Sequence, residues 1–272
     1  MPSASNWATG LLPFYTMLFE SIIYGPIHSR RLGISLGVNL MPVNHKLCTF
    51  DCVYCECGFN HPAVKPTLPT RYEVRSELEK ALLQLAQQPD VITFSGNGEP
   101  TLHPDFEGII TDTCALRDRY CPNAKVSVLT NSTQLGREDV VRALMQCDNR
   151  ILKLDSAIDR TMRLIDRPVN EQLTVRHIIN NLAQFNGNFT LQTCFLRGEV
   201  PDGEHTAPID NTTPEELEAW YKAVDELQPK NIMIYVIDRA TPVKTLEKIS
   251  REQMEAIAEP LRKKGYEVSV SA

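Results

Sequence analysis

Apolar and β-branched runs recur along the chain, separated by stretches with helical spacing. Six runs read as strands: 33–41 (GISLGVNLM), 91–95 (VITFS), 125–130 (KVSVLT), 150–155 (RILKLD), 189–196 (FTLQTCFL) and 231–237 (NIMIYVI). Several of the intervening helices announce their starts. Thr70 followed by Glu73 reads as a capping box, as does Thr213 followed by Glu216, with Pro214 at the first helical position. Ser250 with Gln253 opens a last helix before a terminal strand, YEVSVSA. Alternating strands and helices predict an α/β fold with a parallel sheet. An open doubly wound sheet and a barrel fit the periodicity equally. Either one puts its chemistry at the C-terminal ends of the strands.

One segment breaks the alternation. Between the first strand and the helix near Thr70 lies a long loop, 42–69, with prolines at 42, 62, 66 and 69. Loops of that length inside a compact domain are usually functional or disordered. This one holds Cys48, Cys52, Cys55 and Cys57, four of the chain's eight cysteines, so function is favoured.

Composition narrows the reading. With 272 residues, 42% of them hydrophobic, the chain can bury a sizeable core. Its net charge of −6 argues against extensive nonspecific binding to nucleic acid. The N-terminus lacks a basic start, and Pro13 and Glu20 interrupt its apolar residues, so neither a signal peptide nor a membrane span is expected. A cytoplasmic, reducing compartment follows as the expectation, and there clustered cysteines serve metals or catalysis better than disulfides.

The spacing of Cys48, Cys52 and Cys55 is C-x3-C-x2-C. Structural zinc closes with four ligands, often as two distant pairs, and no distant pair exists here. Iron–sulfur chemistry is therefore favoured, with zinc still open. Residues 93–106 (TFSGNGEPTLHPDF) end a strand on two glycines and Glu99, and 127–132 (SVLTNS) end another on Thr130, Asn131 and Ser132. Taken singly, each motif reads as well as a polar turn.

On the strand at 150–155, Leu152 and Leu154 share one face, with Lys153 and Asp155 on the other. An inward Lys153–Asp155 pair would face the substrate; an outward one would be a surface pair. Cys194 reads as inert core. HSRR at 28–31 is a candidate site for a carboxylate or phosphate. His45, His61 and His103 are assigned no catalytic role.

Together these motifs resemble the radical S-adenosylmethionine (SAM) superfamily, whose cysteine motif ends here in Val53-Tyr54-Cys55. The resemblance implies a partial (β/α)6 TIM-like barrel in which Cys48, Cys52 and Cys55 hold a [4Fe–4S] cluster. The methionyl group of S-adenosyl-L-methionine would chelate the remaining iron. By the same resemblance Tyr54 borders the adenine, Gly98 and Glu99 meet the methionyl amine, and Asn131 or Ser132 approaches the ribose. Cys57 has no assigned role. The family commonly has adjacent glycines before the glutamate, whereas Asn97 separates them here.

YGPIHSRRLGISLGVNLMP and LKLDSAIDRTMRLIDRP are further similar to the branch that includes wyosine-base-forming tRNA enzymes. That match begins near Met17, so 1–16 is expected to be an extension of a 17–272 domain. Its core would run from about 18 to 237, with a C-terminal helix and strand at 238–272. The implied activity is SAM cleavage to a 5′-deoxyadenosyl radical and hydrogen abstraction from a nucleoside, tRNA or small molecule. A flavodoxin or ferredoxin would supply electrons. A glycyl-radical activase and a noncatalytic, metal-stabilised binding module are the alternatives.

Overall fold

The computed structural model describes residues 17–29, 31–61 and 66–272. The expected extension at 1–16 lies outside them, as do Arg30 and part of the proline-rich loop. Strand β1 (Ile23–Ser29) turns back into β2 (Gly33–Val38), its antiparallel neighbour. From β2 the sheet proceeds in parallel through β3 (Val91–Phe94), β4 (Lys125–Thr130), β5 (Asn149–Lys153), β6 (Thr190–Asp202), β8 (Asn231–Val236) and β10 (Glu267–Ser271). Every residue of β3 is buried, as expected of a strand covered on both faces.

Helices α1 (Arg71–Gln84), α2 (Phe106–Tyr120), α3 (Glu138–Gln146), α4 (Asp159–Asp166), α5 (Val175–Ala183), α6 (Pro214–Leu227) and α7 (Arg251–Lys263) supply the crossovers. Val74, Leu78 and Leu82 form the buried stripe of α1, one residue per turn. Trp220 of α6 meets Phe195 edge-on at 5.2 Å and donates its indole N–H to Thr193 Oγ1 at 3.0 Å. The result is an α/β partial barrel with a C-terminal helix and strand, α7 and β10, in which β10 extends the sheet beside β8.

Several elements differ from the sequence reading. β1 is not among the expected strands. β6 runs on past 196 to Asp202 and pairs antiparallel with β7 (His205–Asp210) and β9 (Leu246–Lys248), making a small second sheet. The capping boxes at Thr70 and Ser250 form in full. At Thr213 only half forms, because the Glu216 carboxylate bonds instead to Ser156 Oγ at 2.7 Å and Thr161 Oγ1 at 2.5 Å.

Candidate active site

The cysteine loop leaves β2 and is fastened to the C-terminal ends of its neighbours by backbone bonds. Leu47 N–H donates to Asn97 C=O at 2.9 Å and Glu99 N–H to Leu47 C=O at 3.0 Å, a parallel bridge onto Gly98. Gly98 has φ +149°, and a Cβ there would lie 1.7 Å from the Leu47 carbonyl oxygen. Only glycine permits that approach. On the far side, Val53 N–H donates to Ile165 C=O at 2.9 Å and Val169 N–H to Thr49 C=O at 2.9 Å. The stretch IDRP at 165–168 is thus the receiving edge for the loop. Val53 itself plugs a small apolar cluster with Ile165, Cys194, Leu196 and Val243.

Asn97 accounts for the separated glycines. Its side chain is wholly buried, accepts from Phe19 N–H at 2.8 Å, and donates to the carbonyls of Phe19 and Pro42, both at 2.8 Å. The residue rivets the segment before β1 to the start of the cysteine loop.

The three sulfurs have donors around them. Cys48 Sγ accepts from Phe50 N–H at 3.4 Å and from Asn131 Nδ2 at 3.5 Å, and Cys52 Sγ accepts from Lys153 Nζ at 3.0 Å. Lys46, fully enclosed in the loop, donates to Gly58 C=O at 3.0 Å and to Asp51 at 3.3 Å. Burial alone would lower its pKa. The negative ends of Cys55, Cys48, Cys52 and Asp51 outweigh that and hold it above the ordinary lysine range. Burial pushes the Cys48 thiol up to about 11 and Cys52 well above the usual thiol value, with Lys46 and Lys153 respectively opposing the rise. Cys55 is drawn down to about 6, chiefly by a hydrogen bond with Cys57. Cys57 also reaches Gly96 C=O at 3.3 Å, tying the two loops together.

Glu99 is buried, its carboxylate already met by Thr101 Oγ1 at 2.5 Å, Thr130 Oγ1 at 2.6 Å and Asn131 N–H at 2.7 Å. Burial raises its pKa in spite of these bonds. Asn131 Nδ2 donates to Thr49 Oγ1 at 2.8 Å, so this side chain fastens the cysteine loop to the end of β4. Ser132 has φ 69° and is fully buried, and its hydroxyl donates to Lys153 C=O at 3.1 Å. That hydroxyl is committed inside the fold, whereas Asn131 stands beside Cys48.

Lys153 and Asp155 lie inside, with Leu152 and Leu154 turned into the main apolar core. Sequence reasoning missed their third member, Asp166. Lys153 Nζ donates to Asp166 at 2.5 Å and lies 3.1 Å from Asp155, which also accepts from Tyr54 O–H. Burial would lower the lysine, but Asp155 and Asp166 hold its pKa well above the ordinary value. The predicted Lys153 and Asp155 are therefore buried together beneath Cys52, with the half-buried Tyr54 hydrogen-bonded to Asp155.

A cysteine loop at the mouth of a partial barrel is bonded to a glycine–glutamate loop at the next strand, an arrangement suited to a metal cluster. The sequence matches the Radical SAM superfamily over residues 45–207, more than half its length, and the chain belongs to that superfamily. It is similar to a Brachyspira hyodysenteriae protein named GTPase Obg, with 30% identity over 240 residues, 86% of this chain and 32% of that protein. The chain thus spans about a third of that relative's length. Its fold resembles a radical SAM methyltransferase from Sphaerobacter thermophilus (TM-score 0.60, 15% identity, 87% of this chain and 65% of that one). It also resembles TYW1 with a lysine–pyruvate adduct bound (TM-score 0.58, 13% identity, 84% of this chain and 73% of that one).

The superfamily is one whose members use SAM and a [4Fe–4S] cluster, and membership favours that chemistry over a noncatalytic module. The donor set fits: three cysteines on one loop, with N–H donors on two sulfurs of the kind that tune a cluster's potential. Among the described residues, no three Cys, His, Asp or Glu side chains gather tightly enough to close on a single metal ion. Among those residues no helix is long and apolar enough to cross a membrane.

Proposed function

We propose that Cys48, Cys52 and Cys55 hold the cluster and that the enzyme takes a hydrogen atom from a small molecule or single nucleoside bound inside the barrel. The observation behind this reading is the Leu47–Gly98 bridge, which sets the cysteine loop against Glu99 and Asn131. When bound and reduced, the cluster supplies the electron that splits SAM into methionine and a 5′-deoxyadenosyl radical. The chain's own residues position and enclose. Gly98 keeps backbone at the cofactor loop free of side chain, Glu99 offers Oε2 to an ammonium, and Tyr54 borders the adenine. Lys153, braced by Asp155 and Asp166, keeps a positive charge beside Cys52 and holds the interior polar. A net charge of −6 favours a small substrate over tRNA. A flavodoxin or ferredoxin is the proposed electron donor.

The test is anaerobic reconstitution, reduction, and measurement of 5′-deoxyadenosine with and without metabolite pools. The reading requires reductive SAM cleavage that rises with one pool. A fully loaded cluster that never yields 5′-deoxyadenosine would refute it.

A further inference from the structure

Arg31 sits at the turn between β1 and β2, where Ser29 Oγ accepts from its backbone N–H at 3.3 Å and from that of Leu32 at 3.2 Å. The turn is braced from the other side by Asp90, which accepts from Ile34 N–H at 2.7 Å. From this anchored base the side chain reaches across to β8. Its guanidinium carbon lies 4.6 Å from the centre of the Tyr235 ring. Nη1 is buried and has no hydrogen-bond partner among the described residues. An arginine over an aromatic face keeps its in-plane N–H groups free, and a buried one left unmet is costly.

The surroundings join the apolar cluster around Val53 and Cys194 to the charged groups of the site above. Tyr235 and Cys194 lie side by side on paired strands, at partnered positions of β8 and β6. Asp155 accepts from Cys194 N–H at 2.9 Å through one oxygen and from Tyr54 through the other. The arginine's charge is felt at both Tyr235 and Cys194. Contacts therefore lead from Cys52 through Lys153 to Asp155, which meets the backbone of Cys194 beside Tyr235, the ring under Arg31. Lys153 is already neutralised by two carboxylates, whereas Arg31 has a buried donor to spare.

We infer that Arg31 is the anchor for an anionic group of the substrate, a carboxylate or phosphate gripped by guanidinium N–H donors over the Tyr235 ring. The inference rests on the reading that the substrate enters the barrel interior. It places the substrate's charged end at the β1–β2 turn and its reacting carbon toward the cysteine loop. An arginine fork suits both anions, and the two are separable by experiment.

The test uses the anaerobically reconstituted, SAM-loaded enzyme, titrated calorimetrically with acetate and, separately, inorganic phosphate at constant ionic strength. Arg31→Gln and Arg31→Lys are compared with the unmodified chain. One anion should bind the unmodified enzyme, bind at least about ten-fold more weakly in Arg31→Gln, and recover in part in Arg31→Lys, while SAM affinity stays constant. Acetate binding would indicate a carboxylate and phosphate binding a phosphoryl group. The inference is overturned if neither anion binds, if Arg31→Gln binds equally well, or if Arg31→Gln weakens SAM itself, which would assign the arginine to the cofactor. A cluster that loads without cleaving SAM would refute the proposed function and leave the anion result standing by itself.

Discussion

Lys153 shows how a single residue joins stability to the site. Its ammonium is the counter-charge for both Asp155 and Asp166, all three being buried. Breaking a buried ion pair by removing one partner costs about 3–5 kcal/mol, because the other charge remains. Lys153→Met should therefore destabilise the fold by about that much in denaturant unfolding. Lys153→Met with Asp166→Asn should recover a good part of it. A double variant no better than the single one would show that the triad is not an electrostatic unit. The inward face of this pair is legible from the alternation against Leu152 and Leu154. Asp166 is not, since it arrives from the end of α4, thirteen residues on, and no local pattern links the two.

His103 carries a pH dependence. Nε2 lies 2.8 Å from Pro69 C=O and Nδ1 accepts from Asp105 N–H at 3.1 Å, so the neutral ring is the one that fits. Burial lowers its pKa. The folded state thus resists protonation while the unfolded chain takes up the proton. Its stabilising contribution is present above about 6.5 and is lost as pH falls below that value. Unfolding followed from pH 7.5 to 5 should fall more steeply for the unmodified chain than for His103→Gln, and equal slopes would count against this role.

At the scale of elements, the decisive contact is a bridge between two loops. Gly98→Ala forces a Cβ to within 1.7 Å of a backbone oxygen, at φ +149°. Strained backbone alone costs about 1–3 kcal/mol, and the clash adds to that. Loss of stability should come with loss of bound iron. Gly136→Ala is the control, since among the described residues nothing lies within 4 Å of a Cβ there. If both variants kept iron and stability alike, the bridge would not be what positions the cysteine loop.

The strands of the parallel sheet are legible in the sequence because fully buried strands are unbroken apolar runs. β7 and β9 are not, because HTAPID and LEK are short, largely exposed segments whose only cue is the continued length of β6. Asn97 reads in the sequence as a departure from the glycine pattern. Only the fold shows that it holds Phe19 and Pro42 together.

At the scale of the whole molecule, the parallel sheet gathers chain segments far apart in sequence at one mouth. Cys48, Glu99, Asn131 and Lys153 come from the ends of, or the loops after, four consecutive strands, β2 to β5; hydrogen bonds link the first three, and Ser132 beside Asn131 donates to Lys153 C=O. The sequence carries that convergence as a family resemblance. It does not carry the placement of Arg31 over the Tyr235 ring, because that depends on β1 and on how β8 stands beside β6. By the proposed function, Cys48, Cys52 and Cys55 hold four irons and leave one iron for SAM. Electron paramagnetic resonance of the reduced, reconstituted enzyme, recorded before and after SAM is added, tests it most directly. A four-iron signal that shifts with SAM, survives Cys57→Ala and disappears in each of Cys48→Ala, Cys52→Ala and Cys55→Ala is the expected result. A signal indifferent to SAM, or one lost with Cys57, would contradict it.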